Sequence, residues 1–271
     1  MMIFEKIRTV PTGQELLDKA FRRGSRAKKG KQDKRKAEES FVLTTGNILA
    51  DNLQRVVRDF PSFDSIHPFY RELVDILVGV EEMKKNLARV QWAGNRIHQL
   101  TREAIRKIRA NDPSFERRAA TGRFASILHQ VNPSLEFLGQ VRDKLKHLPD
   151  VVQDEPTIVV AGYPNVGKSS FIDRVSSAKP RIESYPFTTK GLAVGHLTLQ
   201  GRRCQIIDTP GLLDRPLQER NQIELQAITA LRHLAGVILF LLDPTETCGY
   251  TLEEQERLYH QIEAEFNLPI I

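Results

Sequence analysis

Along the first 147 residues the apolar positions recur at helical spacing. Pro11-Thr12-Gly13 opens a short helix with Thr12 as its N-cap, and a basic segment follows. Phe41, Ile48, Leu49, Leu53, Val56, Val57 and Phe60 then keep helical spacing up to the Phe60-Pro61 break. His67-Pro68 opens another helix over Phe69–Val78. Glu81–Ala110 reads as a long one: at about 100° per residue, Ile97, Leu100, Ala104 and Ile108 gather on one side and Arg102, Arg106 and Arg109 on the other. The last runs from about Phe115 to His147, with Pro133 predicting a kink after Asn132. Such helices with short connections predict a bundle.

After Leu148-Pro149-Asp150 the period changes. Thr157–Ala161 is a β-branched run entering a glycine turn, Gly191–Leu199 and Arg203–Ile207 read as strands, Gly236–Leu242 as a fully buried strand, and Leu268–Ile271 as the start of a fifth. Helical segments over Gly167–Ala178, Gln218–Leu234 and Thr251–Phe266 separate most of them. This alternation predicts a mostly parallel sheet covered on both faces. The expected fold class is therefore α plus α/β, with a helical domain over residues 1–150 and an α/β domain over 156–271.

Charge divides along the same line. The net charge of +6 is the sum of +8 over residues 1–155 and −2 over 156–271. Phe21–Ser40 alone carries nine basic residues (Arg22, Arg23, Arg26, Lys28, Lys29, Lys31, Lys34, Arg35 and Lys36) against three acidic ones. Clusters this dense attract a phosphate backbone through counterion release, and their mutual repulsion favours disorder when no polyanion is present. The plainer alternative is that these residues, like the Arg102/Arg106/Arg109 ridge, only solvate helix surfaces. Two cysteines without a CxxC spacing suggest neither a disulfide framework nor a zinc site. The longest apolar run, Leu234–Leu242, is nine residues, less than half of a membrane span of about 20. No signal peptide is visible at the N-terminus. Together these features predict a soluble, intracellular protein without membrane partners; a monomer is expected, although no feature of the sequence fixes the oligomeric state.

The chemistry lies in the second half. Gly162-Tyr163-Pro164-Asn165-Val166-Gly167-Lys168-Ser169 fits GxxxxGK[ST] directly after a strand and directly before a helix. Glycines let the backbone N–H groups wrap a phosphate while the helix presents its positive end. Asn165, Val166, Gly167, Lys168, Ser169 and Ser170 are the expected nucleotide-binding residues of this loop, with Lys168 bridging β- and γ-phosphates and Ser169 ligating Mg²⁺. Asp208-Thr209-Pro210-Gly211 closes a strand expected beside the first, where Asp208 would hold Mg²⁺ through water and the Gly211 N–H would meet the γ-phosphate. Tyr185-Pro186-Phe187-Thr188-Thr189 supplies a hydroxyl to complete the metal shell.

With GYPNVGKSS, YPFTT and DTPGLLD in order, the sequence resembles the Obg-type GTPases of the translation-factor class. More narrowly it resembles the nucleolar GTP-binding protein family, the Nog subgroup, through GYPNVGKSSFI from Gly162, FTTKGLAVGH from Phe187 and DTPGLLDRPLQERNQIELQAITAL from Asp208. The helical half shares PTGQELLDKAF from Pro11, DFPSFDSIHPFY from Asp59 and SLEFLGQVRDKLKHLP from Ser134. The resemblance implies GTP binding with slow hydrolysis, coupled to maturation of the large ribosomal subunit. It also implies an N-terminal helical domain that contacts ribosomal RNA and ribosomal proteins, in the cytoplasm or, in a eukaryote, the nucleolus. It makes Thr189 the preferred Mg²⁺ and switch residue, with Thr188 next. The alternatives are an Obg-like regulatory GTPase in translation or stress response, and an RNA-binding scaffold with a vestigial nucleotide site.

Two departures shape the expectations. Residues 1–271 contain no NKxD motif, so guanine specificity rests on the resemblance, and without the family's long C-terminal extension the sequence looks closer to a short archaeal-like form. The position after DxxG is Leu212, which cannot orient a water, and no arginine acting in cis is identifiable. Related GTPases hold a potassium ion with an asparagine placed like Asn165; the alternative is that Asn165 only shapes its loop. Thr189, Asn165 and Gly211 are thus the expected contributors to hydrolysis, with GTP or GDP, Mg²⁺ and K⁺ as the ligands implied.

Overall fold

The computed structural model describes residues 4–152, 155–185 and 191–271, apart from the side chains of Gln222, Ile223 and Gln226. It divides into two compact units. One gathers the N-terminal residues through Pro61 with Val80–Lys144; the other joins Ser62–Gly79 to Leu145–Ile271.

The first unit is built from α1 (Gly13–Lys28), α2 (Lys34–Asp59), α4 (Val80–Ala110) and α5 (Pro113–Leu145). Thr12 caps α1 in a reciprocal box with Glu15, as its position before the first apolar repeat predicts. Ile97, Leu100, Ala104 and Ile108 of α4 are buried while Arg102, Arg106 and Arg109 are exposed, as the helical period requires. The interface between α2 and α4 needs Gly46: a Cβ there would fall inside the Thr101 hydroxyl. Pro133 lies inside a continuous α5, beside Asn132, whose side chain turns out to accept from the Gly13 N–H.

The basic segment is ordered, against the tendency of its charges. Only Lys29–Asp33 separates α1 from α2, and Asp33 caps α2 by accepting from Arg35 N and Lys36 N. The repulsion is relieved internally. Buried Glu38 pairs with Lys28 at 2.6 Å and Arg117 at 3.0 Å. Glu39 pairs with Arg109, and the Arg35 guanidinium donates to the last carbonyls of α4, Ile108 O and Arg109 O.

In the second unit β1 (Thr157–Ala161), α6 (Lys168–Val175), β2 (Arg181–Glu183), β3 (Leu192–Leu199), β4 (Arg202–Asp208), a 3₁₀ turn (Leu217–Glu219), α7 (Gln222–Leu231), β5 (Val237–Phe240) and α8 (Leu252–Phe266) follow in order. The sheet runs β2-β3-β4-β1-β5, parallel from β4 through β5 and antiparallel across β2, β3 and β4. Ile270 bridges Ile238 in parallel, so Leu268–Ile271 begins a further strand beyond β5 as its apolar run predicts. Val160 and Ile206 pack under Ile172 of α6, and Val159 and Ile207, which point the other way, are equally buried. Among the described residues, the sequence pattern does not foresee the short β2, and the single helix expected over Gln218–Leu234 is a 3₁₀ turn followed by α7.

The remaining helix, α3 (Pro68–Val78), belongs to this second unit, whereas a boundary near residue 150 placed it with the bundle. It packs on α7. Fully buried Phe69 lies 6.3 Å from the Tyr185 ring, Glu72 pairs with His233 at 2.9 Å, and the Tyr70 hydroxyl bridges Pro149 O and Val151 N. Burial pushes the Tyr70 phenol up to about 12, which keeps it a neutral donor. Periodicity identifies such a helix but cannot say which body its apolar face joins.

A candidate nucleotide site

β1 and β4 are parallel and in register, Val160 opposite Asp208, so their carboxyl ends deliver two loops to one edge of the sheet. The loop after β1 wraps tightly. Gly162 has φ of 135°, and a Cβ there would sit 2.6 Å from Leu241 O; Asn165 (65°) and Gly167 (94°) are left-handed. The loop feeds α6, whose N-terminus carries Lys168, Ser169 and Ser170.

Lys168 is buried, and its Nζ donates to Gly162 O and Tyr163 O at 2.7 Å each. Burial lowers its pKa, opposed by the charges of Asp208 and Asp214. The Ser169 hydroxyl donates to Asp208 Oδ2 at 2.6 Å. Asp208 is 1% exposed, and its other oxygen, Oδ1, is buried without a hydrogen-bond partner among the described residues. Pro164, Asn165, Gly167, Lys168, Ser169, Ser170, Asp208, Pro210 and Asp214 line one open cleft of about 350 Å³. Val166 sits within the loop but does not line the cleft.

The loop after β4 is pinned beneath. Thr209 Oγ1 donates to Val160 O, Leu212 N to Thr209 O, and Gly162 N to Leu213 O. Leu212 and Leu213 are both fully buried, so neither side chain reaches the cleft. Gly211, at φ of 79°, points its N–H not into open space but to Asp214 Oδ2 at 2.7 Å. Arg220 holds this turn from behind: its guanidinium donates to Gly211 O and Leu212 O at 2.6 Å each and to Asp214 Oδ1 at 3.0 Å. Asp214 and Arg220 were not singled out by sequence reasoning. Asp214 stands in the DTPGLLD run, but nothing in the sequence signals that Arg220 is buried behind it. Tyr163 packs on Tyr250 with the rings tilted by 35° and their centroids 4.2 Å apart. Thr188 and Thr189 lie outside the described residues.

The donor set suits a triphosphate and its magnesium. An ammonium resting on loop carbonyls, a hydroxyl and carboxylate already in contact, and an orphaned carboxylate oxygen could supply one cation for phosphate, one direct metal ligand and one partner for metal-bound water. No cluster of three His, Cys, Asp or Glu side chains that could hold a metal occurs among the described residues, and none is needed for that arrangement.

The bundle offers a second, cationic surface. Arg102 and Arg106, with Asn95, His98 and Gln99, line a shallow cleft of about 320 Å³ on α4; Lys19, Arg22, Arg23 and Arg26 line another of about 240 Å³ on α1. Lys28, Arg35, Arg109 and Arg117, by contrast, are partnered within the unit, Arg109 at its surface. Lys29, Lys31 and Lys34 remain exposed around the turn.

Both halves of the sequence have counterparts elsewhere. The family profile described as the NOG1 N-terminal helical domain matches residues 4–152, more than half of the chain, and that of nucleolar GTP-binding protein 1 (NOG1) matches residues 222–271. The chain belongs to the nucleolar GTP-binding protein 1 family. An uncharacterized family relative from Methanocaldococcus jannaschii is 44% identical over 280 residues, covering 99% of this chain and 79% of its own. The nucleolar GTP-binding protein 1 of Drosophila melanogaster is 40% identical over 235 residues, 85% of this chain and 36% of its own length. That of Saccharomyces cerevisiae is 38% identical over 229 residues, 83% and 35% respectively. The chain thus spans well under half the length of these eukaryotic relatives. A solved structure of a Plasmodium falciparum nucleolar GTP-binding protein 1 shares 48% identity over 45% of this chain and 61% of that one, with a TM-score of 0.42. The sheet order and loop geometry, rather than that overlap, carry the fold assignment.

Proposed function

We propose that the protein binds GTP and hydrolyses it slowly, acting as a nucleotide switch on the precursor of the large ribosomal subunit. One observation carries the nucleotide half of this reading: Lys168, Ser169 and Asp208 converge on an open cleft, with Asp208 Oδ1 buried and unpartnered. The loop N–H groups from Asn165 to Ser170 would receive the phosphate chain at the start of α6. Lys168 would exchange its two carbonyl partners for β- and γ-phosphate oxygens. Mg²⁺ would be held by the hydroxyls of Ser169 and Thr189 and, through water, by Asp208; when bound it neutralises charge on the β- and γ-phosphate oxygens. The preference for guanine is supported by the names of the family's relatives, which describe them as GTP-binding.

Slow hydrolysis follows from what the loop after β4 lacks. Leu212, at the position where Ras-like enzymes place a glutamine, is fully buried, so no side chain there orients the attacking water. Asn165, exposed on the cleft in a left-handed conformation, would hold a potassium ion against the phosphates and so supply the cation that an arginine finger supplies elsewhere. Gly211 would contribute its N–H to the γ-phosphate.

The ribosomal half of the proposal is supported by family membership and by the exposed cations of the bundle, which suit a phosphate backbone. Ribosomal RNA and ribosomal proteins would be its partners there, in the cytoplasm or nucleolus. None of the described helices is long and apolar enough to cross a membrane. Sedimentation through sucrose gradients with large-subunit precursors tests this half. Nucleotide-dependent co-migration is expected, and migration only at the top of the gradient in every nucleotide state would overturn it.

A further inference from the structure

The contacts at Gly211 go beyond a passive loop. Its N–H is the donor expected to meet a γ-phosphate, and it is taken by Asp214 Oδ2 at 2.7 Å. The second oxygen of that carboxylate is held by Arg220 at 3.0 Å, and the same guanidinium fixes Gly211 O and Leu212 O at 2.6 Å each. Arg220 is 1% exposed at its side chain and Asp214 16% exposed. Asp214 nevertheless lines the phosphate cleft together with Lys168, Ser169 and Asp208, and its charge is felt by Lys168. A carboxylate therefore sits inside the cleft, on a backbone donor, where a phosphate oxygen would be received.

We propose that Asp214 is a specificity-determining residue: an internal anion, positioned by Arg220, that occupies the γ-phosphate donor of Gly211 and sets the protein's preference between nucleoside tri- and diphosphate. This inference rests on the nucleotide-site reading above. A triphosphate must displace the carboxylate from Gly211 and tolerate a second negative charge beside it; a diphosphate, which lacks the γ-phosphate, leaves the latch closed. Arg220 serves both states, because its bonds to Gly211 O and Leu212 O keep the turn in place whichever anion holds the N–H. The pair is thus a threshold against the triphosphate, and its effect falls mainly on the third phosphate, the one that must take the Gly211 N–H.

The test is the ratio of affinities for the β,γ-imido analogue of GTP and for GDP, both with Mg²⁺, in wild type and in Asp214→Asn. The substitution keeps the shape and removes the charge. We expect the imido-triphosphate to gain on the order of tenfold in affinity relative to GDP in the variant, about 1.4 kcal/mol. A ratio equal to that of wild type overturns the latch, and so does weaker triphosphate binding, which would make Asp214 a ligand-side contributor. A purely structural role would move both affinities together. Should the variant not fold, glycine-selective ¹⁵N labelling of the wild-type protein reads the same point. The Gly211 amide resonance should stay in place when GDP is added and move with the triphosphate analogue; movement with GDP, or with neither, overturns the proposal. Wild-type protein that binds neither nucleotide removes the site reading and the latch with it, whereas binding of both with an unshifted ratio removes the latch alone.

Discussion

Replacing Lys168 by alanine is the most direct probe of the site. Lys168 is 7% exposed, and its ammonium donates to Gly162 O and Tyr163 O at 2.7 Å. In the proposed site, triphosphate binding would exchange those two bonds for charge-assisted bonds to phosphate, worth about 1.5–3 kcal/mol each. Removing the cation from such a desolvated charge pair costs about 2–5 kcal/mol, at least on the order of 30-fold in affinity. Titration calorimetry with a non-hydrolysable triphosphate and Mg²⁺ reads this directly, and circular dichroism shows whether the fold is retained. pH supplies an independent signature. Burial holds the free Lys168 below its ordinary value of 10.5, while bound phosphate favours the charged form and raises it. A group whose pKa rises on binding loses affinity as pH climbs past the free-state value. Triphosphate binding should therefore weaken on the alkaline side from below pH 10.5 in wild type, and the alanine variant should lack that component. An unchanged affinity in Lys168→Ala would refute the phosphate-loop assignment.

Turnover should be faster in K⁺ than in Na⁺ at equal ionic strength, and the advantage should vanish in Asn165→Ala; equal phosphate-release rates in the two salts would leave Asn165 with its loop-shaping role alone. Removing Lys29, Lys31 and Lys34 together should flatten the salt dependence of RNA affinity by about one unit for each of these lysines that neutralises a phosphate, measured by filter binding across a salt series. Lys28 is kept out of that set because it pairs with buried Glu38, and an unaltered slope would remove the α1–α2 turn from the interface. Gly46→Ala should destabilise the bundle by about 1–3 kcal/mol through overpacking against Thr101. Thr101→Ala in the same chain should recover much of that loss in denaturant melts, and no recovery would show that the clash is not the cause.

Much of this protein is decided by its sequence alone, because the deciding interactions are local. The 3.6-residue period of Ile97, Leu100, Ala104 and Ile108 fixes which face of α4 is buried, and Thr12 three residues before Glu15 fixes where α1 begins. The glycines, lysine and serine of residues 162–169 specify the turn from β1 into α6, since left-handed backbone and a helix N-terminus are properties of a short stretch of chain. The DxxG run after a strand points to Asp208 for the same reason. Tertiary structure alone decided the rest, through contacts between residues far apart in sequence. α3 reads as a helix anywhere, but only the pocket that receives Phe69 beside Tyr185 assigns it to the sheet-containing unit. A run of nine basic residues reads as a free polycation, yet two of them are engaged within the unit, Lys28 by the buried carboxylate of Glu38 and Arg35 by the end of α4. Asp214 and Arg220 read as ordinary polar residues after a motif. Their joint hold on Gly211 arises because the loop after β4 folds back over its own carbonyls, where a buried guanidinium requires partners and the nearest are Gly211 O, Leu212 O and the Asp214 carboxylate.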